Sequence, residues 1–168
     1  KSYNPDIMFC FGWSSLLKDD LLNVARMGVV GYHPADLPNN KGRHPLIWAK
    51  VLGLDESAST FFFIDESADG GDILNQKKFT ISFEESAVEL YEKMTRTALL
   101  QIEEFLPQLV MEIFPRIPQD RTIGNHWRKR GKGDGDIDFR MTTKDICNLV
   151  RALSKPYAGA QCNYEGLE

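Results

Sequence analysis

A histidine at the end of a predicted strand is the strongest candidate for proton transfer in this sequence. His33 closes the mostly apolar segment 29–33 and precedes a long loop rich in proline and asparagine. An imidazole gains or loses a proton near neutral pH, because its ordinary pKa is about 6.5. A lone histidine is more often a buried, hydrogen-bonded residue than a catalytic one, so this interpretation needs a partner.

Asp69 is the candidate partner. It lies in the turn-forming segment 65–72, which contains two adjacent glycines and follows another predicted strand. A carboxylate at this place would orient the imidazole of His33 or take up a proton from an amine. By itself Asp69 is an ordinary turn residue, so only its meeting with His33 would make a site.

Other catalytic chemistries have weaker support. His44 and His126 have no ligand partner at usable spacing, so we expect no metal. The cysteines are too widely spaced for a disulfide framework or a zinc pair, and they are Cys10, Cys147 and Cys162. Free cysteines fit a reducing cytoplasm, where we expect this protein.

Composition limits the class of protein. The 168 residues suffice for one core-bearing domain, and no apolar run approaches the roughly 20 residues that cross a bilayer. The formal net charge of -4 provides no general attraction to nucleic acid. The closing pair Leu167-Glu168 is typical of a tag junction, and we expect the chain to be a fragment.

Hydrophobic patterns predict strands that alternate with helices. The predicted strands cover residues 7–11, 29–33, 60–64 and 73–81. The predicted helices begin at Ser14 or Ser15, at Pro45, at a Ser82/Glu85 capping box and near Thr143. This order indicates a Rossmann-like α/β fold with a mainly parallel sheet, whose ligands bind at the carboxyl ends of strands, here loops 11–16, 32–42 and 66–72.

The same patterns divide the chain into three parts. Residues 1–110 form the predicted core, 111–142 a connector, and 143–168 a short helical extension. The predicted long helix after Ser82 has apolar residues at helical spacing, which we expect to pack on the core: Val88, Tyr91, Leu99, Ile102 and Leu106.

The loop after His33 resembles the signature of the formyltransferase family. The matching residues are His33-Pro34-Ala35-Asp36-Leu37-Pro38, Lys41-Gly42-Arg43, Pro45, Trp48, Thr60 and Ala68-Asp69-Gly70-Gly71-Asp72-Ile73. Segments 5–6 and 11–13 resemble the strand and loop that form a wall of the family's folate pocket. The resemblance covers residues 5–109, and parts of 138–160 are similar to the start of the family's C-terminal region.

This resemblance implies an enzyme that moves a formyl group from 10-formyltetrahydrofolate to a primary amine. It implies that His33 is the acid/base beside the developing oxyanion, and that Asp69 sets its protonation and helps accept the proton. The residues it implies for donor binding are Phe11, Gly12, Trp13, Ser14, Leu16, Glu66, Ser67, Ala68 and Asp72.

The sequence departs from the family pattern in two ways. An asparagine whose amide donates to the formyl oxygen normally stands two positions before the histidine, and here that position is Gly31. Loss of such a donor costs about 3 kcal/mol of transition-state stabilisation. The candidates to assist the oxyanion or the acceptor instead are Asn39, Asn40 and Arg43. The family's first strands are absent from this sequence, which also leaves the acceptor poorly defined.

The acidic balance and the short C-terminal region favour a nucleotide-linked amino sugar over tRNA as the acceptor. Trp127 and Arg128 would then stack on the nucleotide and neutralise it. Formylation of methionyl-tRNA and hydrolysis of the formyl-folate stay open, as does a folate-binding module that lost catalysis at Gly31. A homodimer also stays open.

Overall fold

The computed structural model describes residues 4–163 as sheets covered by helices. The strands are β1 (Met8–Cys10), β2 (Val29–His33), β3 (Lys41–Gly42), β4 (Glu56–Phe63), β5 (Ile73–Thr80) and β6 (His126–Trp127). The helices are α1 (Asp19–Leu22), α2 (Pro45–Val51), α3 (Ala87–Val110) and α4 (Thr143–Ala152), with a short 3₁₀ helix at Lys132–Gly135. The expected tag residues Leu167 and Glu168 lie outside the described residues.

The main sheet has the strand order β1, β2, β4, β5, and β3 pairs separately with β6. The predicted α/β architecture is confirmed, and β1 and β2 are parallel as expected. The pairs β2/β4 and β4/β5 are antiparallel. The β4/β5 pair is antiparallel because only the short segment 64–72 joins its strands, whereas a parallel pair needs a longer crossover connection.

The main core lies between this sheet and α3. Phe61 and Phe63 of β4 pack with Phe105 and Leu109 of α3, and all four are at most 4% exposed. Val30 of β2 belongs to the same buried cluster. The strand that ends at His33 is therefore anchored in this buried cluster through Val30.

The first helix is much shorter than the sequence predicts. The pattern predicts a helix from Ser14 or Ser15 to residue 28, but only Asp19–Leu22 is helical. Two of its apolar positions are open, with Leu21 46% and Val24 41% exposed, whereas Leu17 and Ala25 are buried. A short helix is unstable unless its apolar face is packed, which explains why α1 stops after one turn.

The start of α3 also differs from the prediction. Ser86 and Glu89 form the capping box, so the helix begins at Ala87. The predicted pair, Ser82 and Glu85, forms a similar hydrogen bond at 2.8 Å, but in the turn that precedes the helix. Two Ser-x-x-Glu patterns follow each other here, and the sequence alone does not distinguish them.

The predicted core face of α3 is largely wrong. Its buried residues include Leu90, Phe105 and Leu109, while Ile102 is partly buried against the core. Four predicted core positions are 37–57% exposed: Val88, Tyr91, Leu99 and Leu106. Both faces of the helix carry apolar residues at helical spacing, so periodicity could not choose between them.

The other elements match their predictions closely. α2 begins at Pro45, and α4 begins after Thr142, whose side chain caps it by accepting from the backbone N–H of Asp145. β4 begins earlier than predicted, at Glu56. In the part of the chain that the structure describes, no helix is both long and apolar enough to cross a membrane.

Candidate active site

His33 is held at the end of β2 by the loop that follows it. The residue is 5% exposed, and its Nε2 lies 2.9 Å from the carbonyl oxygen of Asn40. A carbonyl oxygen can only accept a hydrogen bond, so Nε2 carries the hydrogen. In the neutral imidazole, Nδ1 is therefore the nitrogen that is free to accept a proton.

Asp69 faces that nitrogen. Its Oδ2 is 3.7 Å from Nδ1 of His33 and accepts a hydrogen bond from the backbone N–H of Gly42 at 2.9 Å. Asp69 has a φ of 54°, a left-handed conformation that aspartate adopts more readily than most residues. The structure thus brings together the two residues that the sequence singles out, while their catalytic roles stay a prediction.

The segment 64–72 carries Asp69 along the sheet. β4 runs antiparallel to β2 and ends near its start, where the backbone N–H of Ile64 donates to the carbonyl oxygen of Val29 at 2.7 Å. Asp69 lies at the opposite end of β2, beside His33. The segment then returns to β5, and the N–H of Phe63 donates to the carbonyl of Asp72 at 2.8 Å. The site therefore depends on the segment 64–72, because the end of β4 lies at the other end of β2 from His33.

Gln119 holds the segment in place. It is 8% exposed, and its Nε2 donates to the carbonyl oxygens of Asp69 at 3.0 Å and Gly71 at 2.7 Å. A Cβ on Gly71 would lie 1.8 Å from the carbonyl oxygen of Phe63, so only glycine fits there. The sequence reasoning missed Gln119, because no local pattern distinguishes it within its irregular segment.

Polar side chains hold the loop 34–40 in place. Thr60 Oγ1 donates to the carbonyl of Ala35 at 2.7 Å, and Gln76 Nε2 donates to the carbonyl of Leu37 at 3.0 Å. At the end of the loop, Asn125 Oδ1 accepts from the backbone N–H of Asn40 at 2.8 Å. These contacts fix the carbonyl that accepts from His33.

The short pair β3/β6 positions the carboxylate. Gly42 lies opposite Trp127 in this pair, and a Cβ on Gly42 would be 2.3 Å from the carbonyl oxygen of Trp127. Its φ of 99° also requires glycine. Because Gly42 donates to Asp69, β6 indirectly helps to set the position of that side chain.

An open cavity of about 670 Å³ adjoins the segment that carries Asp69. Leu22, Val29 and Ile64 line it together with two residues that the sequence assigns to the donor, Glu66 and Ser67. Its volume lies in the range of small-molecule sites, and its lining mixes apolar and polar groups. The residues present therefore fit a small, partly polar ligand.

The other predicted donor residues do not line this cavity. Phe11 packs against Phe61 with ring centroids 5.6 Å apart, while Trp13 is 64% and Leu16 62% exposed. The carbonyl oxygen of Ser14 accepts from Arg43 at 2.7 Å. Three further predicted donor residues are also absent from the cavity lining. Gly12 has a φ of 69°, Ala68 is exposed, and the backbone carbonyl of Asp72 accepts from the N–H of Phe63.

Gly31 lies two positions before His33 on the same face of β2. A Cβ at this position would lie 2.8 Å from Cγ1 of Ile64 and 3.2 Å from Cε1 of Phe62. An apolar side chain therefore fills the space that a larger residue at position 31 would need. Of the predicted helpers, Asn40 contributes backbone groups to the site and Asn39 is exposed.

Trp127 and Arg128 have partners within the protein. Arg128 forms an ion pair with Asp134 and lies 5.3 Å from the ring of Trp48. Trp127 is partly buried against the apolar cluster that includes Leu46. Both residues are adjacent to the β3/β6 pair, but no described contact joins their side chains to His33 or Asp69.

Comparisons with known proteins identify the family. Residues 1–103 match the model of the formyl transferase family, and residues 129–168 match that of the formyl transferase C-terminal domain. The chain belongs to the formyl transferase family. Membership confirms the predicted resemblance and the prediction of a formyl-transferring enzyme.

Solved structures of other formyl transferases share the fold. A 4-N formyltransferase from Francisella tularensis has a TM-score of 0.84 at 22% identity, covering 97% of this chain and 67% of that one. PseJ from Anoxybacillus kamchatkensis, a formyltransferase in complex with UDP-4,6-dideoxy-4-formamido-L-AltNAc and tetrahydrofolate, has a TM-score of 0.65 at 24% identity, covering 73% and 64%. HypX from Aquifex aeolicus, in complex with tetrahydrofolic acid, has a TM-score of 0.81 at 21% identity, covering 98% and 28%. This formyl transferase therefore spans about two thirds of the first two proteins.

The described residues contain no cluster of three or more histidine, cysteine or carboxylate side chains that would hold a metal ion. The arrangement of an imidazole beside a carboxylate is suited to proton transfer.

Proposed function

We propose that this protein transfers a formyl group from 10-formyltetrahydrofolate to the primary amine of a nucleotide-linked amino sugar, with His33 and Asp69 as the acid/base pair. The observation that carries this proposal is the 3.7 Å approach of His33 Nδ1 to Asp69 Oδ2 at the end of β2. The Nε2–H of His33 is already engaged by Asn40, so Nδ1 is the nitrogen available for chemistry.

The reaction moves one proton from the amine to the folate nitrogen. Attack of the amine on the formyl carbon forms a carbon–nitrogen bond and gives an oxyanion beside an ammonium. Asp69 takes the ammonium proton, and protonated His33 stabilises the oxyanion through Nδ1–H. The carbon–nitrogen bond to the folate then breaks, its nitrogen takes the Nδ1 proton of His33, and Asp69 returns the ammonium proton to Nδ1 of His33.

Two features support the donor assignment. The cavity lies toward the start of β2, at Gly28 and Val29, and its lining includes Glu66 and Ser67 of the segment that leads to Asp69. The folds of PseJ and HypX, which are described with tetrahydrofolate, are similar to that of this chain. The acceptor assignment has the narrower support of one neighbour bound to a UDP-linked sugar.

A folate-binding module with impaired catalysis is the second candidate. It is favoured by the filled space in front of Gly31, where Ile64 Cγ1 leaves no room for a side-chain donor. Such a protein would bind tetrahydrofolate without transferring the formyl group to any amine. Binding and turnover measured on the same preparation separate the two candidates.

The test is formyl transfer from 10-formyltetrahydrofolate to a panel of nucleotide-linked amino sugars. His33→Ala should lower kcat about a hundredfold, in the range expected for loss of an acid/base group. His126→Ala is the matched control, because His126 is exposed in β6 and makes no described contact with the pair. Equal activity of native protein and His33→Ala would refute the mechanism.

A further inference from the structure

Four basic residues beside the candidate active site form a surface that the proposed chemistry does not yet use. We call Arg43, His44, Lys129 and Arg130 the basic patch. The backbone N–H of Arg43 donates to the carbonyl of Trp127 at 3.0 Å, and the N–H of Arg130 donates to Nδ1 of His44 at 3.3 Å. The two segments therefore continue side by side beyond the β3/β6 pair.

His44 has a defined orientation in this patch. Its Nδ1 accepts from a backbone N–H, so the neutral ring carries its hydrogen on Nε2 and offers a donor. Burial and then the charges of Arg43, Lys129 and Arg130 lower the pKa of His44 below its usual 6.5. Three cations thus act on one imidazole, which indicates a positive local potential.

The cations of the patch differ in how far they are neutralised. Arg130 donates to the carbonyl oxygen of Asp134 and lies 4.6 Å from the ring centroid of Trp48. Arg43 donates to the Ser14 carbonyl, which carries no full charge. Within residues 4–163, no carboxylate forms an ion pair with Arg43 or Lys129, so their charge is available to an anionic ligand.

The patch lies next to the acid/base pair. Arg43 follows Gly42, whose backbone N–H binds Asp69. Consecutive Cα atoms are about 3.8 Å apart, so the patch begins within one residue of a group that contacts the carboxylate. A substrate with its amine near Asp69 can therefore extend an anionic group onto the patch.

We propose that Arg43, His44 and Lys129 bind the diphosphate of a nucleotide-linked acceptor. This inference rests on the proposed function for the identity of the acceptor. A guanidinium offers paired N–H donors to phosphate oxygens, while an ammonium and an imidazole N–H add single donors. Recognition then depends on the phosphates more than on base stacking, because Arg130 and Arg128 already lie against the ring of Trp48.

Calorimetric titration of the purified protein with UDP and with uridine isolates the diphosphate. We expect UDP to bind at least tenfold more tightly than uridine, and Lys129→Ala to weaken UDP binding about tenfold without affecting uridine. Lys144→Ala is the matched control, because Lys144 is also exposed, lies on α4, and its removal changes the net charge by the same amount. His44→Ala should weaken UDP binding as Lys129→Ala does.

The outcomes separate this inference from the proposed function. If UDP binds no more tightly than uridine, or if Lys129→Ala and Lys144→Ala have equal effects, the basic patch is not a diphosphate site. If the expected pattern appears but no formyl transfer occurs, the diphosphate site stands and the proposed function fails. Because Lys129 is exposed, Lys129→Ala keeps the test valid even where His44→Ala destabilises the fold.

Discussion

Nδ1 of His33 and Oδ2 of Asp69 are 3.7 Å apart, farther than a hydrogen bond but close enough for an ion pair once the imidazole is protonated. A backbone group holds each side chain of this pair. The Asn40 carbonyl accepts from Nε2 of His33, and the Gly42 N–H donates to Oδ2 of Asp69. At this distance a proton passes between the two groups through the bound substrate or after a small approach of the side chains, since direct transfer needs a separation of about 2.6–3.2 Å.

Asp69→Asn should lower kcat about a hundredfold while changing stability little. The amide oxygen can still accept from Gly42, but the side chain can no longer take a proton. Steady-state kinetics and thermal unfolding of the same sample check this. Asp136→Asn, which alters a carboxylate bonded to Gln161 far along the chain, is the control. A loss of activity explained entirely by unfolding would contradict the prediction.

Gly42→Ala should destabilise the protein and misplace Asp69. The added Cβ would lie 2.3 Å from the carbonyl of Trp127, and a φ of 99° is strained for alanine. Gly133→Ala is a matched control, because its Cβ would meet nothing closer than Asp136 Oδ2 at 3.6 Å. Thermal unfolding should show a lower Tm for Gly42→Ala only. Equal Tm values would mean that β3 and β6 separate at little cost.

The sequence predicts the acid/base pair because both residues lie in distinctive loops, one rich in proline and one in glycine. It does not predict the way Asp69 reaches His33. The prediction places Asp69 after the carboxyl end of a strand parallel to β2. In the structure β4 is antiparallel to β2, and the segment 64–72 carries Asp69 back along the sheet to His33. Pairing direction depends on contacts between distant parts of the chain, which local patterns do not encode.

The same limit explains the residues that sequence reasoning missed. Gln119 and Asn125 are polar residues in irregular chain, and their importance arises only when they meet the backbone of Asp69 and Asn40. The buried face of α3 is mispredicted for a related reason, since Leu90 and Tyr91 are adjacent, both have large apolar surfaces, and only packing against distant segments decides which is buried.

The carboxylate of Glu89 should make the stability of the native protein depend on acid pH. Hydrogen bonds from the backbone and side chain of Ser86 lower the pKa of Glu89 below its usual 4.5. The folded state therefore favours the ionised form. This stabilisation is complete above the unfolded-state pKa near 4.5 and is lost as the pH falls through the lower folded-state value.

Thermal unfolding between pH 7 and pH 2 checks this prediction. The Tm of the native protein should fall more steeply below pH 4.5 than that of Glu89→Gln, so the two curves converge in acid. Glu92→Gln, an exposed change on the same helix, is the control. Parallel curves for native protein and Glu89→Gln would show that the capping carboxylate carries no linked proton.

Ile64 should determine whether position 31 can accept a larger side chain. Gly31→Asn alone places its Cβ 2.8 Å from Cγ1 of Ile64, and overpacking of this kind costs about 1–3 kcal/mol. Ile64→Ala removes that obstacle but leaves space beside the cavity. The double variant should therefore lose less unfolding free energy than the two single variants lose when added together. The expected coupling free energy is about 0.5–3 kcal/mol.

The same double-mutant cycle tests what Gly31 costs the reaction. An amide at position 31 lies on the face of β2 that carries His33, so it can donate to an oxyanion that forms there. We expect Gly31→Asn/Ile64→Ala to exceed Ile64→Ala in kcat at least tenfold at equal KM for the donor. Denaturant unfolding of the native protein, the two single variants and the double variant gives the coupling in stability. Single-turnover formyl transfer by the same four proteins gives the coupling in rate. A gain for Gly31→Asn without Ile64→Ala would show that Ile64 does not fill the space, and no gain in the double variant would show that position 31 does not face the reacting carbonyl.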